Sequence, residues 1–388
     1  MEFHDRPVFP AGFRCASRNC GLKPVANDLS LFASDTDCAA AAVFTRNHFP
    51  GAPVILGRET MRAGRLRAIV ANSRFSNVAT GERGLHNARR MAAAAAAELG
   101  TSPDRILVSS TGVIGVQLPI EKIENGLRGM STTLQDDPLV GAAGIMTTDT
   151  HPKALSLRSD AVTITWIAKG AGMIEPNMAT MLAYIFTDAA VDAVALDRML
   201  RTAVHTSFNM LSIDTDTSTS DTCSIMASGR AGSVDEDRFL DALTAGSIRM
   251  TEMLARDGEG ASRLLRVTVH GARNDSDARH IAKSIVNSPL VKTMAHGADP
   301  NVGRLLMAIG KCFDCRIEPA RTSATINGYM VVAAGERTDF DEGAVRAALG
   351  RETVAIVVHL GVGEATAIAW GCDLTAGYVE ENAAYYSS

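Results

Sequence analysis

Along 388 residues the hydrophobic pattern keeps switching between an alternating period and a helical one. Strand-like runs rich in β-branched residues lie at 65–72, 105–110, 161–168, 264–270 and 353–360. Helix-patterned stretches fall at Leu85–Leu99, Leu196–Phe208, Asp235–Ala255, Asp277–Val286 and Val302–Ile309. The first holds Ala92–Ala97, an alanine run of high helix propensity, and Gly100 follows as a natural stop. Strands and helices interleaved from end to end predict an α/β or α+β protein. Length alone allows two or three domains or one large layered one. Gly and Pro are spread evenly, so composition marks no boundary.

The charge balance removes several function classes. With 38 basic and 43 acidic residues the net charge is −5, which disfavours a nucleic-acid coat or a basic membrane-surface protein. Hydrophobic residues make up 46%, too many for disorder. No apolar run approaches the roughly 20 residues of a membrane span, and the charged N-terminal stretch lacks a signal-peptide core. A cytoplasmic protein with no membrane or nucleic-acid partner is expected. The seven cysteines are odd in number and irregular in spacing, so no disulfide framework is expected. Cys312 and Cys315 form a single CxxC, which reads better as coincidence than as a redox or zinc motif.

The strongest local anomaly is the turn Lys169-Gly-Ala-Gly-Met-Ile-Glu-Pro-Asn-Met-Ala-Thr180, set between two strand-like runs. Its glycines and proline permit a tight, strained backbone. Thr180 stands where the turn becomes a strand. A threonine hydroxyl is a weak nucleophile without a base. Its own α-amine, with a reference pKa of about 7.7–8.0, could serve as that base once freed. Freeing it requires cutting the Ala179–Thr180 bond, and the hydroxyl can attack the preceding carbonyl. An ordinary β-turn ending in a strand threonine fits these residues as well.

The segment KGAGMIEPNMATML (169–182) resembles the hallmark of the ornithine acetyltransferase family, also called glutamate N-acetyltransferases. Further family-like blocks follow in order: Ser110–Gly115, Ile145–Thr150, Ser212–Thr222, Asp257–Ala261, Val286–Thr293 and Gly371–Tyr378. The resemblance implies self-cleavage between Ala179 and Thr180 into an alpha chain, 1–179, and a beta chain, 180–388. It makes Thr180 the catalytic nucleophile and Thr111 with Gly112 the oxyanion pair. It assigns substrate contacts to Thr147, Lys169, Glu259, Asn382 and Ser387. Lys169 suits a substrate α-carboxylate as a point charge, and Glu259 an amine-bearing side chain. Asp214, Asp216 and Asp221 lack the pattern of a calcium loop and read as polar turn residues. No metal or other cofactor is implied. The family's layered αββα sandwich, shared with self-cleaving aminopeptidases, is the expected architecture. Alpha and beta chains from one precursor are expected to assemble as heterotetramers or higher oligomers.

Some positions depart from the family pattern. Arg74 and Phe75 stand where small residues are usual, Glu175 replaces a common Ala, and Ala298 and Val302 replace a usual Cys and Trp. Several of these are similar to the member associated with clavulanic acid gene clusters. The implied reaction moves an acetyl group from N2-acetyl-L-ornithine to L-glutamate. A specialised-metabolism paralogue with another N-acyl amino acid, an amidase or aminopeptidase using water as acceptor, and a non-catalytic homologue are the rival readings.

Overall fold

β-branched and aromatic side chains place the ladders of this protein, and short polar caps set where its helices begin. The computed structural model describes residues 1–175 and 181–384. The candidate residues Ala179, Thr180 and Ser387 lie outside them. The described chain divides into two compact units. The first comprises 1–170, 181–209 and 217–250, and the second 171–175, 210–216 and 251–384. The mixture of strands and helices expected from the sequence, α/β or α+β, is observed as mixed sheets with helices.

Among the described residues, the first unit holds a nine-stranded mixed sheet. Its main path runs Glu2–Phe3, Lys153–Ser159, Val162–Lys169, Leu182–Ala190, Thr222–Ser233, Leu29–Phe44, Arg65–Asn72 and Ile106–Ser110. Phe13–Arg18 pairs on the early part of Leu29–Phe44, antiparallel from Phe13↔Ser34 to Arg18↔Leu29. Both faces are covered. Leu31, Val70 and Val108 meet Met91 and Ala95 of the helix Gly81–Leu99 on one side. Phe32, Ile69, Leu107 and Phe186 meet Ala142 and Ile145 of the helix Pro138–Ile145 on the other. Alternation along each strand sends neighbours to opposite faces. Asp137 starts the Pro138–Ile145 helix by accepting from Leu139 N–H at 2.9 Å. Gly100, at φ 63, ends the alanine-rich helix by donating to the carbonyls of Ala96 and Ala97.

In the second unit the sheet order is Glu336–Arg337, Tyr329–Ala333, Ser323–Ile326, Thr353–His359, Leu264–Ala272, Ala365–Cys372. Leu264–Ala272 runs parallel to one neighbour and antiparallel to the other. The helix Asp275–Val286 lies across it, presenting Ile281, Ile285 and Val286 as fully buried side chains. Residues 210–216 cross Gly371, where a Cβ would fall 2.4 Å from the Ser212 carbonyl oxygen, so only glycine lets the two backbones approach. Among the described residues no helix is long and apolar enough to cross a membrane.

Candidate active site

Thr111 and Gly112 lie just past the strand Ile106–Ser110, on a turn braced by residues 72–77. Thr111 N–H donates to Asn72 O at 3.0 Å, and Val113 N–H to Arg74 O at 2.9 Å. Ser110 Oγ donates to Asn72 Oδ1 at 2.6 Å, and Ser76 N–H to Val113 O at 3.0 Å. Gly112 sits at φ 124, and a Cβ there would fall 2.3 Å from the Arg74 carbonyl group. Sterics and backbone conformation therefore both demand glycine. Arg74, at φ 90, holds a left-handed conformation that is costly for a non-glycine residue. Among the described residues, the Gly112 N–H and the Thr111 hydroxyl have no acceptor. A half-buried turn with two unengaged donors side by side is chemically suited to an oxyanion.

Thr147 and Lys169 converge on a residue the sequence reading left without a role, Asp149. One Asp149 oxygen accepts from Lys153 Nζ at 2.7 Å and from Gly170 N–H at 2.7 Å; the other accepts from Thr147 N–H at 3.0 Å. Lys153 is fully buried and Lys169, at the end of its strand, is 8% exposed. Burial opposes ionisation of Asp149, but Lys169, Lys153 and these hydrogen bonds outweigh it and hold the carboxyl at about 2. Nearby, Lys23 Nζ donates to Met146 O at 2.7 Å, beside Thr147. Burial pushes the Lys23 ammonium down to about 8, Asp28 pulls the other way, and Lys169 adds to the depression.

Asp221 is completely enclosed, and its Oδ2 has no hydrogen-bond partner among the described residues. Burial pushes its carboxyl well above the usual carboxylate range, against the pull of Ser218, Lys169 and Thr45.

In the second unit, Glu259 and Asn382 meet. Asn382, on the helix Ala376–Ala384, donates from Nδ2 to Glu259 Oε2 at 2.7 Å. Glu259 N–H donates to Ala171 O at 2.9 Å, and a Cβ on Gly172 would fall 2.2 Å from Glu259 Oε2. The second glycine of the KGAG turn is thus the space the Glu259 carboxylate occupies. Asp214 accepts from Met173 N–H at 2.6 Å and Ile174 N–H at 2.8 Å, which accounts for it as a turn residue. Lys292, from the 286–293 block, donates to the carbonyls of Ile213 at 2.8 Å and Cys372 at 2.6 Å, so that block has a structural role. Among the described residues no cluster of His, Cys, Asp and Glu is arranged to hold a metal.

Mixed sheets clothed by helices, with a glycine-constrained turn at 111–112, are the frame that carries the family-like motifs. The chain belongs to the ArgJ family, whose profile matches residues 14–387. It is 43% identical over 383 residues to the arginine biosynthesis bifunctional protein ArgJ 2 of Clostridium acetobutylicum, covering 97% of this chain and 98% of that one. It is 42% identical over 386 residues to the glutamate N-acetyltransferase Oat2 of Streptomyces clavuligerus, covering 98% of each. The crystal structure of the arginine biosynthesis bifunctional protein argJ from Bacillus halodurans matches with a TM-score of 0.51 and 39% identity, covering 53% of this chain and 100% of the solved chain. The mixed α/β fold is accordingly the one the motifs implied.

Proposed function

We propose that this chain is a self-processing acyltransferase that carries an acetyl group from N2-acetyl-L-ornithine to L-glutamate by way of Thr180. The reaction class follows from end-to-end similarity to relatives named for glutamate acetyl transfer and arginine biosynthesis. The observation that carries the mechanism is the Thr111–Gly112 turn, with two unengaged donors at a position only glycine can hold.

In processing, Thr180 Oγ attacks the Ala179 carbonyl carbon, the Ala179–Thr180 C–N bond breaks, and the departing amine takes the hydroxyl proton. Water then hydrolyses the resulting ester, leaving the Ala179 carboxylate and a free Thr180 amine and hydroxyl. In turnover the amine takes the Thr180 proton as the hydroxyl attacks the acetyl carbon. Ornithine leaves with that proton, and the glutamate amine attacks the acetyl ester in reverse. Negative charge develops on the acetyl oxygen, where the Gly112 N–H and the Thr111 hydroxyl act as donors. Lys169 and Thr147, both tied to Asp149, receive the substrate α-carboxylate. Glu259, held by Asn382, takes the ornithine ammonium, and Ser387 is assigned a further substrate contact by the family resemblance. The cycle uses no coenzyme A, metal or nucleotide.

Residues 180–388 make up a little over half of the sequence. Alpha and beta chains then pair, and the pairs assemble as heterotetramers working in the cytoplasm. The test of the reaction mixes acetylornithine with labelled ornithine and no glutamate. Label must enter acetylornithine, and N-acetylglutamate must form once glutamate is added. Release of acetate without exchange would instead identify a hydrolase.

A second reading keeps the mechanism and changes the substrate. Arg74 occupies a strained position on the loop that braces Gly112, where small residues are usual. A different N-acyl amino acid in specialised metabolism would account for it, and exchange with a panel of N-acyl donors separates the two.

A further inference from the structure

Residues 171–175 are tied down with unusual density for a loop. Ala171 O and Ile174 O accept from Glu259 N–H at 2.9 Å and Ile213 N–H at 2.7 Å, and Glu175 N–H donates to Asp216 O at 2.9 Å. Asp214 takes the two intervening amides of Met173 and Ile174. Ala171 and Ile174 are buried. The Glu175 side chain closes the set. Its Oε2 accepts from Ser212 Oγ at 2.8 Å and Asn287 Nδ2 at 2.6 Å, and its Oε1 lies 3.4 Å from Lys283 Nζ. Lys283 is itself held by donating to Leu211 O at 3.0 Å. Each of these partners comes after position 180 in sequence. These ties therefore run from the end of the proposed alpha chain to the proposed beta chain.

We infer that Glu175 is a positioning residue for self-cleavage, fixing the chain four residues before the scissile Ala179–Thr180 bond through Ser212, Asn287 and Lys283. This rests on the self-processing reading and adds a residue to it. Attack on a preceding carbonyl needs the two groups held near bonding geometry, and every unanchored residue upstream adds conformations that must be given up first. A carboxylate with three partners fixes that upstream end. Burial pushes the Lys283 ammonium down, and the neighbouring Glu175 carboxylate opposes that shift. After the cut the same network ties the alpha-chain tail to the beta chain.

The experiment follows self-cleavage of freshly synthesised chain by denaturing gel over time in wild type, Glu175→Ala and Glu175→Gln. Glu175→Ala is expected to cut on the order of tenfold more slowly. Glu175→Gln keeps an acceptor for Ser212 and Asn287 and is expected to recover most of the rate. Turnover per cut chain should stay near wild type in both, because Glu175 does not touch substrate. Thermal melts and circular dichroism of the uncut fraction verify folding. Cutting of Glu175→Ala at the wild-type rate would overturn the inference alone, as would equal slowing by Gln and Ala. A wild-type chain that stays uncut while active would overturn the processing reading itself.

Discussion

Asp149 accepts hydrogen bonds from Thr147, Lys153 and Gly170 on its two oxygens, and its charge interacts with that of Lys169, so it is coupled to both candidate carboxylate-binding residues. Its folded pKa of about 2 lies below the usual carboxylate value. A depressed carboxylate stabilises the fold above its unfolded pKa and loses that contribution as pH falls through the folded one. We predict a loss of about 2 kcal/mol between pH ~4 and pH ~2, measured by urea unfolding across that window. Asp149→Asn strands the fully buried Lys153 charge and should cost about 3–5 kcal/mol. Adding Lys153→Met should return much of it, because the stranded charge is then gone. At Thr111, removal of the hydroxyl should lower kcat on the order of 10²-fold and leave KM nearly unchanged, since the donor acts on the developing oxyanion. Steady-state kinetics on Thr111→Ala that has completed processing measures this. Thr111, Gly112 and Lys169 enter as candidates because they sit in contiguous motifs. Asp149 does not, because an aspartate among threonines reads as a turn residue until the chain folds and brings Gly170 to it from 21 positions away.

The turn at 110–113 and the loop at 72–77 form one element, since neither keeps its shape without the other's backbone. Phe75 and Val113 even form a short parallel bridge. Gly112→Ala must push the Arg74 carbonyl aside, and both processing and turnover should fall together. Among the strands, 65–72, 105–110 and 353–360 were legible from β-branched content, and the structure moves their ends by at most one residue. Leu29–Phe44 escaped notice because its middle is polar and half of its second half is alanine, whose side chain carries no strand signal. Three neighbouring strands specify it instead. The C-terminal helix Ala376–Ala384 shows the same limit. Its Asn382 pairs with Glu259 across 123 residues, a relation no local pattern encodes. Asn382→Ala should raise KM for the ornithine substrate several-fold with little change in kcat, because the Glu259 carboxylate loses the donor that orients it. Acetylornithine titrations of processed enzyme measure the split.

For the whole molecule, the family motifs stretch from Ser110 to Tyr378, and outside residues 176–180 the described structure gives them a physical place. Some are catalytic candidates. Others are struts: Asp373 receives the amides of Ser262 at 2.8 Å and Arg263 at 2.9 Å and so fastens the final strand's end. In the proposed mechanism, division into two chains is what ties them to function, because the cut would create the amine that makes Thr180 a usable nucleophile. Thr180→Ala should therefore stay one chain and show no acetyl exchange. The most direct measurement is an intact mass spectrum of the purified protein before and after brief exposure to N2-acetyl-L-ornithine without glutamate. The account predicts two chains, the second beginning at Thr180, and a gain of one acetyl group on that second chain, located by fragmentation to its first residue. A fully active protein that remains a single chain, or an acetyl group carried on any other residue, would contradict it.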